Sequence, residues 1–336
     1  MGLGLINQIF VERDIASHDR VQAILSRHPT RSPIYIDSYG EVFNKKNQNF
    51  RIQKSFPNLI LASKNTGYIL EAPQGFGIGD AHNYYFSHMY NCLYDCDYCF
   101  LQGMYSSADF VLFVNYENFE AEIIKKVDQL KGEKLTFFSG YDCDSLAFEK
   151  MTGFVEYFLP VFKNIPNCLL ELRTKSIQQK PLTYISPMEN CVVAYSLLPH
   201  NIAKQLDRKA PSIEKRLTAI ENLATIGWKV GLRFDPLIYG KNWKNLYSEL
   251  ISDIFKRVDC NAIHSVTFGP LRFPKEMFKN LIKLNPESKL LSGSLSLRGK
   301  KISYKKQVEL EMANFCEDLI KSFAPNVTSF NCKGDF

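Results

Sequence analysis

Three cysteines lie close together in the sequence, with the spacing C-x3-C-x2-C. They are Cys92, Cys96 and Cys99, and aromatic residues Tyr98 and Phe100 stand on either side of the third one. So short a loop can direct three thiolates, but not four, at one metal cluster, and thiolates are the usual ligands of iron–sulfur clusters. The pattern therefore predicts a 4Fe–4S cluster with one iron left open for another ligand.

A cluster with one open iron is what radical chemistry with S-adenosylmethionine (SAM) requires. The amino and carboxylate groups of SAM chelate that iron, and the reduced cluster cleaves a C–S bond of SAM to form a 5′-deoxyadenosyl radical. In enzymes of this kind the cofactors supply the reactivity, while the protein binds and orients them. The cysteine loop thus predicts two cofactors, a 4Fe–4S cluster and SAM.

The same cysteines could instead bind zinc. His88 precedes Cys92 by four residues, so a closed site of three cysteines and one histidine is the main alternative. Structural zinc sites usually draw ligand pairs from two turns, and the sequence holds no second C-x-x-C pair. Covalent haem attachment would need a histidine at position 100, where phenylalanine stands. We favour the cluster and keep a zinc-stabilised DNA-binding protein as an alternative.

The composition indicates an ordinary globular chain. Of its 336 residues 45% are hydrophobic and 23% are charged, which suits one large α/β domain with extensions. The sequence opens without the pattern of a signal peptide, and no apolar run approaches the roughly 20 residues of a membrane span. Beyond the loop, the cysteines are scattered, which fits a reducing compartment. We therefore expect a cytoplasmic protein without membrane contact, and we take it to be a monomer.

Strand and helix patterns alternate about six times between residues 81 and 270. Such alternation predicts a parallel sheet with helices outside it. Six units fit an open, partial (β/α)6 barrel of the TIM type better than a closed eight-fold barrel. We divide the chain into an N-terminal α/β extension (1–80), this barrel (81–270) and a C-terminal region with a β-hairpin and a helix (271–336).

In barrels of this type, chemistry takes place on the loops that follow the strands. The cysteine loop follows the first predicted strand and obeys this rule. The other predicted strands also end in polar or small residues, which become candidates for the same site. They are Ser139, Gly140, Tyr141, Cys143, Lys175, Ser196 and Asp235.

A basic stretch lies near the C-terminus. Between Arg272 and Lys306 there are ten lysines or arginines against two glutamates. Within this stretch two short alternating segments flank a turn, which predicts a hairpin with a basic tip. Basic clusters of this kind are candidates for contact with nucleic-acid phosphates. The residues of the predicted tip are Arg298, Lys300 and Lys301.

These segments together resemble the spore photoproduct lyase family of radical SAM proteins. The stretch from Cys96 to Gln102 reads C-D-Y-C-F-L-Q and resembles the family's C-x-Y-C-Y-L-Q motif. Shorter likenesses lie at residues 113–117, at 144–147, at 173–175 with 195–196, and in the basic hairpin. The likeness extends over most of the chain, from about residue 9 to residue 323.

The resemblance implies an activity and a set of partners. Members of the family use the adenosyl radical to take hydrogen from a thymine dimer in DNA, 5-thyminyl-5,6-dihydrothymine; its methylene bridge breaks, and a protein cysteine returns hydrogen. A lesion inside a duplex must be turned outward to be reached, and the basic hairpin would face the DNA. A reductant such as flavodoxin or ferredoxin is implied as well. Our interpretation places SAM at Ser139, Gly140, Lys175 and Ser196.

The sequence departs from the family pattern at two positions. Phe100 replaces the tyrosine that follows the third cysteine, so a hydrogen relay through that hydroxyl cannot operate, and Tyr98 remains. Counted from the cluster, the hydrogen-donating cysteine falls within about a residue of Cys143; aligned from Asp144, the position is Tyr141. We assign hydrogen return to Cys143, assisted by Tyr98, and keep Tyr141 as the other position. Action on a different nucleic acid or a small molecule is an alternative function.

Overall fold

The computed structural model describes residues 6–332. Within this range the strands form three sheets, of five, eight and three strands. In chain order the strands are β1 (Ile9–Glu12), β2 (Ile34–Ile36), β3 (Leu59–Ala62), β4 (Leu70–Glu71), β5 (His82–Phe86), β6 (Met89–Tyr90), β7 (Phe110–Phe113), β8 (Leu135–Ser139), β9 (Cys168–Thr174), β10 (Cys191–Ser196), β11 (Lys229–Leu237), β12 (Ile263–Pro270), β13 (Arg272–Pro274), β14 (Ser296–Arg298), β15 (Lys301–Ser303) and β16 (Thr328–Asn331).

The α-helices of the same range connect these strands. In chain order they are α1 (Asp19–Ser26), α2 (Phe50–Ser55), α3 (Leu101–Met104), α4 (Tyr116–Gln129), α5 (Glu149–Thr152), α6 (Phe154–Lys163), α7 (Lys180–Tyr184), α8 (His200–Leu206), α9 (Ile213–Ile226), α10 (Trp243–Arg257), α11 (Lys275–Leu284) and α12 (Lys306–Phe323). Among these described helices, none is both long and apolar enough to cross a lipid bilayer.

The eight-stranded sheet is the curled half-barrel that the sequence predicts. Strands β5, β8, β9, β10, β11 and β12 follow one another in parallel. At the edges, β16 joins β12 in parallel and β4 joins β5 in antiparallel orientation. The partial (β/α)6 barrel is confirmed. Because its six central strands run in the same direction, their carboxyl ends lie at one end of the barrel, where the candidate residues were expected.

Local sequence signals set the ends of the barrel helices. Helix α9 begins after Ser212, whose side chain accepts a hydrogen bond from the backbone N–H of Lys215, as an N-cap residue does. The helix ends at Gly227, which has a φ of 109°, a conformation that glycine adopts without steric cost. Between these ends Leu217, Ile220 and Leu223 are fully buried. The apolar stripe of the helix therefore packs against the barrel.

The five-stranded sheet joins the N-terminal segment to the chain that follows the cysteines. Its order is β2-β1-β3-β7-β6. Strand β7 pairs in parallel with β3, with Leu59 opposite Phe110. Strands β6 and β7 both lie beyond residue 80, where we predict the first domain boundary. The N-terminal residues are thus bonded through a shared sheet to the segments that flank the cysteine loop.

A charged pair is buried inside the barrel. Glu171 on β9 and Arg233 on β11 are both fully buried, and their closest approach is 2.8 Å, from Arg233 Nη2 to Glu171 Oε2. Arg173 donates a further hydrogen bond of 3.0 Å to Glu171. Burial alone would raise the pKa of Glu171, but the two guanidinium groups outweigh it and hold that pKa at about 2. The pair links β9 to β11 across the intervening strand β10.

We expect this pair to make stability depend on acid pH. Because the pKa of Glu171 lies below its ordinary value of 4.5, its contribution is fully present above that value and is lost as the pH falls toward 2. Removing one partner of a buried ion pair lowers the free energy of unfolding by about 3–5 kcal/mol. Near pH 7, Glu171→Gln should therefore unfold at a lower urea concentration than the wild type. Between pH 4.5 and 2 its free energy of unfolding should fall less than that of the wild type. If the free energy of unfolding fell equally steeply with pH in the variant and in the wild type, Glu171 would not be the source of this pH dependence.

Candidate active site

A cavity of about 420 Å³ opens at the carboxyl ends of the barrel strands. It is lined by all three cysteines of the loop, Cys92, Cys96 and Cys99, and by the two tyrosines and the cysteine considered for hydrogen return, Tyr98, Tyr141 and Cys143. The residues that we assign to SAM line the same cavity. They are Ser139, Gly140, Lys175 and Ser196.

One side of the cysteine loop is held by helix α2 from the N-terminal segment. Arg51 Nη1 lies 3.1 Å from both carboxylate oxygens of Asp95, and the same guanidinium also contacts Gln102. Lys54 donates a hydrogen bond of 2.5 Å to the backbone carbonyl of Cys92. The N-terminal segment therefore contacts the loop directly. The sequence offered no motif for these contacts, because the partners are separated by 38 to 51 residues.

The other side of the loop is held by the segment that follows helix α8. The backbone N–H groups of Asp95 and Asp97 each donate a hydrogen bond of 2.9 Å, to the carbonyls of Arg208 and Leu206. The hydroxyl of Tyr98 donates to the carboxylate of Asp207. These contacts hold the backbone of the loop from both sides. Such preorganisation is what a functional site needs from its supporting residues.

The three thiols do not form a compact set of ligands of the size that one zinc ion needs. Four ligands around zinc at 2.3 Å stand about 3.8 Å apart. Within residues 6–332, the three cysteines are not among the groups whose ligand atoms all lie within 4.8 Å; that set contains only His200, Glu214 and Asp253. A four-iron cluster is larger than one ion, so its thiolates stand further apart.

His88 is engaged elsewhere. Its Nδ1 lies 3.9 Å from Cys143 Sγ, and its ring stacks on Phe154 with 3.8 Å between the centroids. Burial lowers the pKa of His88 to about 3, so the imidazole is neutral. Its role in this structure is to pack beside Cys143, and this contact does not follow from the C-x3-C-x2-C pattern.

The charges around the thiols suit an anionic metal cluster. Burial raises the pKa of the Cys92 thiol to about 12 and also raises the pKa values of Cys96 and Cys99. Two ammonium groups act in the opposite direction: Lys54 lowers the pKa of Cys92, and Lys175 lowers that of Cys96. Thiols of this kind lose their protons when a metal binds. The donor set and the adjacent lysines therefore fit a 4Fe–4S cluster.

The expected SAM residues are positioned by Asp144. Its carboxylate accepts hydrogen bonds of 2.7 Å from the Thr174 hydroxyl and the Lys175 backbone N–H. Two further backbone N–H groups, of Leu146 and Ala147, donate to the same carboxylate. This buried acceptor ties the end of β9 to the loop after β8. It therefore fixes the backbone from which Lys175 extends into the cavity.

Gly140 allows these two loops to approach each other. Its φ is 80°, and a Cβ at this position would stand 2.7 Å from the carbonyl oxygen of Arg173. Beside it, the hydroxyls of Ser139 and Ser145 lie 2.7 Å apart. A larger residue at position 140 would push β8 and β9 apart. Glycine is therefore required at this point of the cavity wall.

Aromatic side chains form part of the cavity wall. The ring of Tyr141 stacks on that of Tyr85, with 4.2 Å between the centroids, and lies 5.9 Å from the ring of Phe100. Cys143 follows two residues later and is 8% exposed. The structure thus brings Tyr141 and Cys143, the two positions considered for hydrogen return, to the same cavity.

The basic hairpin lies beside the cavity and not in its wall. Strands β14 and β15 pair in antiparallel orientation around Gly299, which has a φ of 61°. Arg298 forms an ion pair with Glu309 of α12, and Lys300 is exposed. The hairpin is connected to the cavity through β13, which pairs with β15 and contributes Arg272 to the lining. The hairpin is therefore adjacent, through β13, to residues of the cavity wall.

Comparisons with known proteins agree with this arrangement. The family model for spore photoproduct lyase matches residues 80–328. The spore photoproduct lyase of Clostridium acetobutylicum is 20% identical over 62% of this chain and 62% of its own length. The spore photoproduct lyase of Bacillus subtilis is 22% identical over 70% of this chain and 72% of its own length. By sequence, the chain therefore spans about six to seven tenths of these relatives.

Solved structures show the same fold over nearly the whole chain. A mutant of spore photoproduct lyase with bound AdoMet and dinucleoside spore photoproduct superposes with a TM-score of 0.83 and 17% identity, covering 96% of this chain and 97% of that one. A complex of spore photoproduct lyase with dinucleoside spore photoproduct superposes with a TM-score of 0.82 and 16% identity, covering 97% of this chain and 98% of that one. Because the family model matches well over half of the sequence, this chain belongs to the spore photoproduct lyase family.

Proposed function

We propose that this chain is a radical SAM enzyme that repairs a thymine photoproduct of the 5-thyminyl-5,6-dihydrothymine type in DNA, by cleaving a C–C bond. The observation that carries the proposal is the single cavity in which Cys92, Cys96 and Cys99 meet Lys175 and the polar strand ends. Family membership supports the same activity, and a structurally similar lyase binds both AdoMet and a dinucleoside spore photoproduct.

The chain's own residues would hold the two cofactors. Cys92, Cys96 and Cys99 would bind the 4Fe–4S cluster, and Ser139, Gly140, Lys175 and Ser196 would surround SAM. When bound, the cluster and SAM together supply a carbon radical that removes hydrogen from the substrate. The protein's part is to keep the loop fixed, to hold Lys175 through Asp144, and to surround the reacting atoms with a largely apolar wall.

The return of hydrogen is assigned to Cys143. Its thiol lines the cavity, and burial raises the pKa of Cys143 well above its ordinary value. The thiol therefore stays protonated and carries a transferable hydrogen atom. Tyr98 would assist, since its hydroxyl is held by Asp207 at the base of the loop. Tyr141 lines the same cavity and is the alternative donor.

The proposed substrate lies in DNA, and the hairpin would contact its backbone. A thymine lesion must leave the base stack to reach the cavity, and a basic hairpin inserted beside it would stabilise the opened duplex. Arg298, Lys300 and Lys301 would contribute contacts to phosphate. We further propose a monomer in the cytoplasm, reduced by an electron donor such as flavodoxin or ferredoxin; the free state of all nine cysteines supports a reducing compartment.

Replacing Lys300 and Lys301 by alanine should weaken DNA binding without changing SAM cleavage. The logarithm of the binding constant falls as the logarithm of the salt concentration rises, and each phosphate contact contributes about 0.9 to the steepness of that slope. The slope of the double variant should therefore be shallower by up to about 1.8. The matched control is Lys131→Ala with Lys134→Ala, two exposed lysines just before β8 at the opposite end of the barrel. Fluorescence anisotropy titrations with a lesion-containing duplex at several salt concentrations give the slope for each double variant. Equal slopes in the two double variants would contradict the hairpin assignment.

A different substrate is the second candidate. It is favoured by Phe100, which lacks the hydroxyl expected at that position, and by Tyr141 in one alignment of the donor. The cluster, SAM and the cavity would be retained, and another nucleic acid or a small molecule would replace the photoproduct. Turnover assays on synthetic lesion DNA separate the two candidates.

Metal analysis tests the enzyme class itself. After anaerobic reconstitution with iron and sulfide, the proposal predicts about four irons with labile sulfide per chain, and 5′-deoxyadenosine once the reduced protein receives SAM. A protein that instead retains about one zinc and no sulfide would be the zinc-stabilised DNA-binding protein, and the proposed activity would be wrong.

A further inference from the structure

A lysine from the N-terminal segment is buried directly behind the cysteine loop. Lys54, on α2, is 5% exposed. Its ammonium donates to the carbonyl of Cys92 at 2.5 Å and lies 5.8 Å from the centroid of the Phe110 ring. The backbone carbonyl of Lys54 itself accepts a hydrogen bond from Lys209. The side chain is therefore fixed at the rear of the loop, on the side away from the solvent.

Within residues 6–332, the buried ammonium of Lys54 forms no ion pair with a carboxylate. The nearby acids are already engaged, since Asp95 pairs with Arg51 and Asp97 with Arg208. A buried charge without a counter-charge is costly. Burial lowers the pKa of Lys54, and the cysteines and Asp95 act against that shift. Thiolates at the cysteines would therefore add negative charge where this buried cation needs it.

An iron–sulfur cluster on these cysteines would supply that charge. Three thiolates on a 4Fe–4S core of charge +2 give a net charge of about −1, and one-electron reduction makes it about −2. A fixed positive charge nearby stabilises the reduced form more than the oxidised form. Net charge and hydrogen bonding around a cluster are among the factors that set its reduction potential.

We propose that Lys54 is a positioning residue that compensates the charge of the cluster and raises its reduction potential. The inference rests on the proposed function only in requiring a cluster on Cys92, Cys96 and Cys99. It assigns to the N-terminal segment an electrostatic part in the reaction, beyond bracing the barrel. The neighbouring cation Arg51 cannot replace Lys54, because its guanidinium is committed to Asp95 and Gln102.

Three variants separate charge from hydrogen bonding. Lys54→Gln keeps a donor for the Cys92 carbonyl and removes the charge, whereas Lys54→Arg keeps both. Lys46→Gln removes an exposed positive charge from the same N-terminal segment and serves as the control. Each reconstituted protein is analysed for iron and sulfide, and its midpoint potential is measured by a redox titration followed by electron paramagnetic resonance.

We expect Lys54→Gln to hold the cluster with a lower midpoint potential. At a fixed solution potential its ratio of reduced to oxidised cluster should fall about tenfold, which corresponds to about 59 mV for a one-electron couple. Lys54→Arg and Lys46→Gln should stay close to the wild type. An unchanged potential in a fully loaded Lys54→Gln protein would overturn the inference, as would an equal shift in Lys46→Gln.

The metal-free proteins give a second, independent test. Because the ammonium is uncompensated without a cluster, apo Lys54→Gln should unfold at a higher urea concentration than the apo wild type. This holds even if the variant loads iron poorly. Earlier unfolding of the apo variant would contradict the inference. If the wild type itself takes up no iron and sulfide, the proposed function is wrong. If the wild type takes up the cluster but the midpoint potential of Lys54→Gln is unchanged, only the role of Lys54 is wrong.

Discussion

Cys96→Ala should load no stable four-iron cluster and should form no 5′-deoxyadenosine above background. Cys96 is the central cysteine of the loop and is 4% exposed. Loss of a residue that merely supports a metal ligand costs about 10–100-fold in affinity or activity, so loss of a ligand should cost more than about 100-fold. Iron and sulfide content and SAM cleavage by the reduced protein measure the effect.

The chain offers a matched control for this substitution. Cys260 is exposed and lies away from the cavity, with its thiol near the backbone carbonyl of Phe323. Cys260→Ala should keep full iron content and full SAM cleavage. A four-iron signal of normal intensity in Cys96→Ala would contradict the ligand assignment, and so would equal losses in the two variants.

Cys143→Ala should separate SAM cleavage from clean repair. The cluster loop and the SAM residues are untouched by this change, so 5′-deoxyadenosine should still form. Without the thiol, the product radical lacks its hydrogen source, and the yield of repaired thymine should fall at least about tenfold, or about 1.4 kcal/mol in barrier. Chromatography of the products from a dinucleoside spore photoproduct gives both quantities in one experiment.

Tyr141→Phe tests the other alignment of the donor. It removes one hydroxyl from the same cavity and keeps the ring that stacks on Tyr85. We expect this variant to repair nearly as well as the wild type. If Tyr141→Phe loses clean repair while Cys143→Ala retains it, hydrogen return belongs to Tyr141, and our assignment is wrong.

The barrel and its site could be predicted because both follow from short-range patterns. Alternating strands and helices specify a parallel sheet, and parallel strands end at one side. Residues as far apart in sequence as Ser139, Lys175 and Ser196 were therefore expected in one place, and they line one cavity. The hairpin was predicted for the same reason, since its two strands are joined by a two-residue turn at Gly299.

Contacts between distant segments could not be predicted from such patterns. The pairing of β3 with β7 joins residues about 50 positions apart, and no local signal specifies it. The contacts of Arg51 and Lys54 with the cysteine loop have the same origin, because they depend on how the N-terminal sheet docks. In the sequence these two residues belong to an ordinary basic stretch. Only the structure places one of them, Lys54, in a buried position where it contacts the backbone of Cys92.

The most direct test of the account is repair by the wild-type protein. The reconstituted enzyme is reduced under anaerobic conditions and incubated with SAM and a dinucleoside spore photoproduct. We predict 5′-deoxyadenosine together with repaired thymine. A protein with an intact four-iron cluster that cleaves SAM but leaves the photoproduct unchanged would contradict the proposed substrate. One that forms neither product would contradict the proposed radical enzyme.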